Sequence, residues 1–133
     1  QDLRGAALHL KGIGGNVAVM GFCMGGALTI ATAVHVPEVT LGVCFYGIPP
    51  KEFADPANIT MPLQCHFANQ DDWCTPEAVN ELEAGLTAAG ANAEIHRYDA
   101  AHGFFNETSE AAYDAASANL AWRRMSDYLA ANL

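Results

Sequence analysis

Hydrophobic positions along the chain follow two rhythms, and each predicts a different element. Val17 to Phe22 and Val39 to Tyr46 are short apolar runs, and Leu63 to Ala68 is a third. Runs of this length, bounded by turn residues, read as buried strands of a parallel sheet. Ala93, Ile95 and Arg97 alternate with Glu94, His96 and Tyr98, which predicts a fourth strand. Between these runs the spacing changes to three and four. Gly25 to about Val36 is an alanine-rich helix stopped before Pro37. Thr75-Pro76-Glu77 is a helix start: threonine caps, proline fits the first turn, and glutamate meets the positive end of the dipole. Val79, Leu82, Leu86 and Ala89 continue it at helical spacing, and Gly90 ends it. A last helix spans about Asp114 to Leu129, with Trp122, Met125 and Leu129 on one face. Gly47-Ile48-Pro49-Pro50 is a turn, and residues 51–61 read as loop. Strands alternating with helices predict an α/β fold, a parallel sheet with helices on both faces. In such sheets the chemistry gathers at the carboxyl ends of the strands.

Composition narrows the classes of function. The chain has 133 residues, 51% of them hydrophobic, with no repeat or linker, so residues 1–133 read as a single domain. Fifteen acids against six bases give a net charge of −9, and the arginines at 4, 97, 123 and 124 form no stripe. A nucleic-acid surface or an anionic membrane needs a basic patch, so neither is an expected partner. No apolar run reaches the roughly 18–20 residues of a membrane span. The chain starts at Gln1, which fits a processed or truncated product. Cys23, Cys44, Cys65 and Cys74 form no C-x-x-C pair, which argues against a zinc ribbon or redox dithiol. Cysteines placed in apolar strands suit a reducing cytosol, so a cytoplasmic location is expected.

The first strand ends in Gly21-Phe22-Cys23-Met24-Gly25-Gly26 and runs straight into a helix. This is a nucleophile elbow with cysteine in the serine place. The nucleophile sits on a strained strand-to-helix turn. The residues two before and two after it pack together, so a side chain at Gly21 or Gly25 is expected to clash, and Gly26 lets helix and sheet approach. The Met24 N–H is expected to point at the site as an oxyanion donor. On its own the string is weak evidence, and a glycine-rich turn around a buried cysteine is its more ordinary reading. Its neighbours at the other strand ends decide between the two. After the third strand come Asp71 and Asp72, where an acid that orients a histidine belongs; Asp71 is nearer the strand. After the fourth comes His102, followed by Gly103 and Phe104. His9, His35, His66 and His96 fit ordinary loop, helix-end or strand positions better. Nucleophile, acid and histidine thus occur in the chain order of α/β-hydrolases, each after a different strand.

These residues, with Phe105-Asn106, Ala112-Tyr113-Asp114 and the Trp122 helix, resemble the dienelactone hydrolase family of carboxymethylenebutenolidase-like proteins. The resemblance runs from about residue 2 to residue 132. It implies an α/β-hydrolase that opens small esters or lactones through a Cys23–Asp71–His102 triad and a thioester, with no cofactor and no metal. Tyr46, Trp73 and Phe104 are candidate substrate-binding residues. Two departures accompany the match. The family carries about as much chain again before the elbow, including the N-terminal strands and a second oxyanion N–H. Here residues 1–12 correspond only to the helix leading into the elbow strand. The dienelactone enzymes also have an arginine shortly after the histidine, for the substrate carboxylate. Here Gly-Phe-Phe-Asn-Glu follows, without a cation, so a neutral ester or lactone is at least as well suited as the dienelactone substrate. The missing strands leave the Val17–Phe22 edge open, either for a second copy or for the absent N-terminal half. The competing expectation is a catalytically inactive half-domain that acts by assembly through that edge.

Overall fold

A computed structural model describes residues 1–133. The chain folds as α1 (Asp2–Ile13), β1 (Ala18–Phe22), α2 (Met24–His35), β2 (Leu41–Phe45), β3 (Leu63–Gln70), α3 (Pro76–Ala88), β4 (Ala93–Ala101) and α4 (Ala115–Asn132), with one 3-10 turn at Pro56–Asn58. The four strands form one sheet in the order β1-β2-β3-β4. Every pairing is parallel. Each element expected from the hydrophobic pattern is present, and the architecture is α/β with helices on both faces.

The period of two along the strands divides the core. On one face Ile30 and Ala33 of α2 and Val79, Leu82 and Leu86 of α3 pack on Cys44, Leu63, Cys65 and Phe67. On the other face Ala121, Met125 and Tyr128 of α4 pack on Leu41, Val43, Phe45, Ala68 and Tyr98. The helix α1 buries only Ala7, while Leu3, Leu8, Leu10 and Ile13 stay exposed.

Strand ends are where the structure departs from the pattern. The strand β2 stops at Phe45 because Tyr46 turns out of extended conformation with φ 35°. β3 and β4 run on to Gln70 and Ala101 through polar and small residues that carry no apolar signal. Pairing between these two strands is irregular at Ala68 to Gln70. Their extension brings Asp71 and His102 directly to the carboxyl end of the sheet. At the sheet's other margin β1 pairs only with β2, and its Met20 and Phe22 side chains are partly exposed. No helix is long and apolar enough to cross a membrane.

Candidate active site

Cys23 is the single residue between β1 and α2, with φ 56° and ψ −118°. A non-glycine residue held there stores on the order of 1–3 kcal/mol, which the surrounding contacts must offset. Its N–H donates to the Phe45 carbonyl (3.0 Å), and its own carbonyl accepts from Ala27 N–H (3.1 Å). Close backbone approaches brace the turn. A Cβ at Gly21 would collide with the Gly25 carbonyl, and one at Gly26 with the Phe45 carbonyl. The expected clash at Gly25 is not found: a Cβ there meets nothing, because only one partner of the Gly21–Gly25 approach points at the other. Gly47 matters more than its place in a proline-rich turn suggests. A Cβ at Gly47 would collide with the Cys23 carbonyl, so this glycine lets the end of β2 pass under the elbow.

His102 and Asp71 come from the ends of β4 and β3. His102 Nε2 lies 3.2 Å from Cys23 Sγ, and Nδ1 lies 2.7 Å from Asp71 Oδ2. A carboxylate only accepts, so Nδ1 carries the proton and Nε2 is left as the acceptor for the thiol. Asp71 is buried, and its Oδ1 accepts from the N–H groups of Trp73 (2.8 Å) and Cys74 (2.9 Å). That fixes the carboxylate before the histidine arrives. Asp72 is exposed and makes no side-chain hydrogen bond, so of the two neighbouring acids Asp71 is the one that contacts His102.

The other three thiols are buried. Burial, with Asp71 nearby, pushes Cys74 up to about 12. The hydrogen bond with Cys44, reinforced by burial, raises Cys65 well above the usual thiol range. Cys23 is the partly exposed cysteine and the one beside a histidine. Its neighbour Met24 opens α2, where a helix leaves its first N–H groups without intrahelical acceptors. No cluster of three His, Cys, Asp or Glu side chains is placed to hold a metal ion.

The aromatic candidates separate. Tyr46 lines the cleft beside Cys23, and its ring lies 5.1 Å from that of His102 at 61°. Burial first, and the nearby Cys23 second, push its phenol up to about 12. Trp73 is exposed and leans on His102, with centroids 5.6 Å apart, but it does not line the cleft. Phe104 is completely buried against Tyr46 and Tyr98, so the expectation that it binds substrate is corrected. The turn at Gly103 (φ 81°) sends Phe104 into the core and leaves Phe105 to form the wall. Phe22, Phe105, Tyr113 and Trp122 complete an open cleft of about 880 Å³. Sequence reasoning missed Phe22 and Phe105 as wall residues, although each adjoins a candidate residue.

Comparisons with known proteins agree with this fold. The family model described as "Dienelactone hydrolase family" matches residues 2–133. A protein of Escherichia coli (strain K12) named "Putative carboxymethylenebutenolidase" is 34% identical, over 96% of this chain and 51% of its own length. A crystal structure titled "Putative Dienelactone Hydrolase" from Klebsiella pneumoniae subsp. pneumoniae MGH 78578 superposes with a TM-score of 0.86 at 28% identity. That match covers 97% of this chain and 59% of the other. A dienelactone hydrolase-like promiscuous phosphotriesterase from metagenomic libraries shares the fold at 22% identity and a TM-score of 0.78, over 87% of this chain and 52% of its own. The chain spans about half the length of the curated relatives it matches. With residues 2–133 under one family model and a relative 34% identical over 96% of this chain, the chain belongs to the dienelactone hydrolase family.

Proposed function

We propose that Cys23, His102 and Asp71 form a triad that hydrolyses small esters or lactones through a thioester. The observation that carries the reading is the unbroken line of contacts from Cys23 Sγ to His102 Nε2 and from His102 Nδ1 to Asp71 Oδ2. His102 takes the thiol proton as Sγ bonds to the substrate carbonyl carbon. The carbonyl electron pair moves to oxygen, where the Met24 N–H donates to the oxyanion. Collapse breaks the carbon–oxygen bond, and the leaving alkoxide takes the proton from His102. His102 then accepts a proton from water as its oxygen attacks the thioester. The acid departs, and Cys23 regains its proton. Asp71 holds the tautomer throughout and balances the imidazolium.

The substrate class follows from the family and from the cleft. The relatives' printed names point to lactone opening. The cleft contains no lysine or arginine to hold a carboxylate, which favours a neutral ester or lactone. The full activity belongs to a completed sheet. β1 is the terminal strand and pairs only with β2, which supports pairing of its free edge with a further strand, from a second copy or from the stretch by which the relatives are longer. The free thiols fit a reducing, cytoplasmic setting.

Turnover of p-nitrophenyl acetate tests the reading. It is expected to be lost after iodoacetamide treatment and in Cys23→Ala. Equal turnover by Cys23→Ala would sink the triad.

A further inference from the structure

We propose that the cleft beside Cys23 selects substrates bearing an uncharged aromatic group, held along a row of rings formed by Phe22, Phe105 and Trp122. The proposal rests on Cys23 being the nucleophile and specifies what that nucleophile attacks. The row begins one residue before the thiol. Phe22 is stacked on Phe45, with centroids 4.6 Å apart and planes at 28°. Phe45 is completely buried, so the row is anchored in the core. Phe105 follows at 5.4 Å and 31° from Phe22, and Trp122 of α4 at 6.4 Å and 29° from Phe105. Successive rings are therefore tilted by about a third of a right angle or less, which leaves a graded flat surface rather than a set of crossed edges. Phe22 keeps 37% of its surface exposed and Trp122 keeps 56%. Both line the cleft, so this apolar area is available to a ligand. Exposed aromatic surface that converges on a nucleophile is a recognition feature rather than scattered surface hydrophobicity.

Charge sharpens the choice. The acidic side chain lining the cleft is Glu107, and no lysine or arginine lines it. Most of the chain's cations are engaged elsewhere. Arg4 pairs with Glu38, Lys51 with Asp55 and Arg97 with Glu83, and Arg124 sits over the Tyr98 ring. A carboxylate beside the scissile bond would meet an acidic side chain and the field of a chain with net charge −9. An uncharged ring meets offset-stacking partners of the kind aromatic pairs prefer.

Alkylation of Cys23 reads this preference without requiring ester turnover. N-benzyl iodoacetamide, iodoacetamide and iodoacetate each form a carbon–sulfur bond with Cys23 as the carbon–iodine bond breaks. Iodide leaves, and the thiol proton passes through His102 to solvent. Rates are normalised to those of the same reagents with glutathione. The benzyl reagent is expected to react about tenfold faster than iodoacetamide. Iodoacetate is expected to react several-fold slower than iodoacetamide. Trp122→Ala and Phe105→Ala should each lower the benzyl-to-plain ratio several-fold, and Trp122→Phe should keep most of it. Because the readout is a ratio within one variant, a general loss of reactivity or stability cancels. A benzyl-to-plain ratio near one, or a ratio unchanged in Trp122→Ala, overturns the proposal. The two readings also fail separately. Aromatic preference at Cys23 with no ester turnover removes the hydrolase and keeps the aromatic site. Turnover by Cys23 with no aromatic preference does the reverse.

Discussion

Two histidines in this molecule each have partners at both ring nitrogens, and they are built for opposite ends. His102 Nδ1 faces the Asp71 carboxylate, Nε2 faces the Cys23 thiol, and its side chain is 26% exposed. His66, in β3, is completely buried beneath α4, with Tyr98 Oη at Nδ1 (2.7 Å) and Gln64 Oε1 at Nε2 (2.9 Å). The Gln64 amide donates to Glu94 (3.0 Å), so its oxygen is turned to His66 and receives the Nε2 proton. Tyr98 then donates to Nδ1. Every partner of His66 is neutral. Burial first, with His96 and Arg124 nearby, lowers it to about 3. Two hydrogen bonds on an imidazole therefore do not make a base. A carboxylate on one side, a labile proton on the other, and access to a cleft do. His66 stacks on Phe45 at 4.4 Å and serves as a polar core residue.

This contrast breaks most sharply at the carboxylate. Asp71→Asn should reduce ester turnover by about a hundredfold or more, because the amide no longer specifies the Nδ1 tautomer. Asp72→Asn should stay within about twofold. Equal effects of the two substitutions, in steady-state assays at neutral pH, would return the acid to an open question.

Acid should act on the other histidine. His66 sits at about 3 in the folded chain, against 6.5 for the free side chain. Between those values the unfolded chain binds the extra proton, so stability rises with pH. The contribution is complete above 6.5 and is lost as pH falls toward 3, amounting to a few kcal/mol. Urea midpoints measured between pH 7 and pH 4 should fall steadily. His66→Leu should flatten that slope while lowering stability at pH 7. An equally steep slope in His66→Leu would place the acid sensitivity elsewhere.

Tyr98→Phe removes the donor to His66 Nδ1 and leaves a buried nitrogen unpaired. A cost of about 1–3 kcal/mol in urea unfolding is expected. Ester turnover, normalised to folded protein, should not change. A drop in normalised turnover comparable to that of Asp71→Asn would show that the two networks are one.

The smallest effect belongs to Trp73. It is exposed, makes its side-chain contact with His102, and donates its backbone N–H to Asp71 whatever its side chain. Trp73→Ala should lower kcat about threefold with KM unchanged, and Trp73→Phe should recover most of the loss. A rise in KM alone would make Trp73 a substrate contact instead.

Much of this arrangement is legible in the chain itself, for reasons specific to its residues. β2 is apolar because both faces are covered, so its run stands out, and β1 is an equally apolar run although Met20 and Phe22 stay partly exposed. Cys23 is legible because Gly21 and Gly26 are demanded by backbone approaches that no other residue permits. The ends of β3 and β4 are not legible. Asn69, Gln70, Asp99 and Ala101 continue the strands by hydrogen bonding, without an apolar pattern to mark them. Phe104 and Phe105 are neighbours of one type, and only the turn at Gly103 decides which is core and which is wall. Gly47 looks like turn punctuation until Cys23 is seen above it.

The central claim is that Cys23 carries the acyl group. Rapid quenching of the chain with p-nitrophenyl acetate, followed by peptide mass analysis, tests it directly. One acetyl group should appear on the Cys23 peptide, be removed by hydroxylamine as a thioester, and persist longer in His102→Gln. An acetyl group on any other residue, or none on Cys23 while the ester is being hydrolysed, would contradict the account.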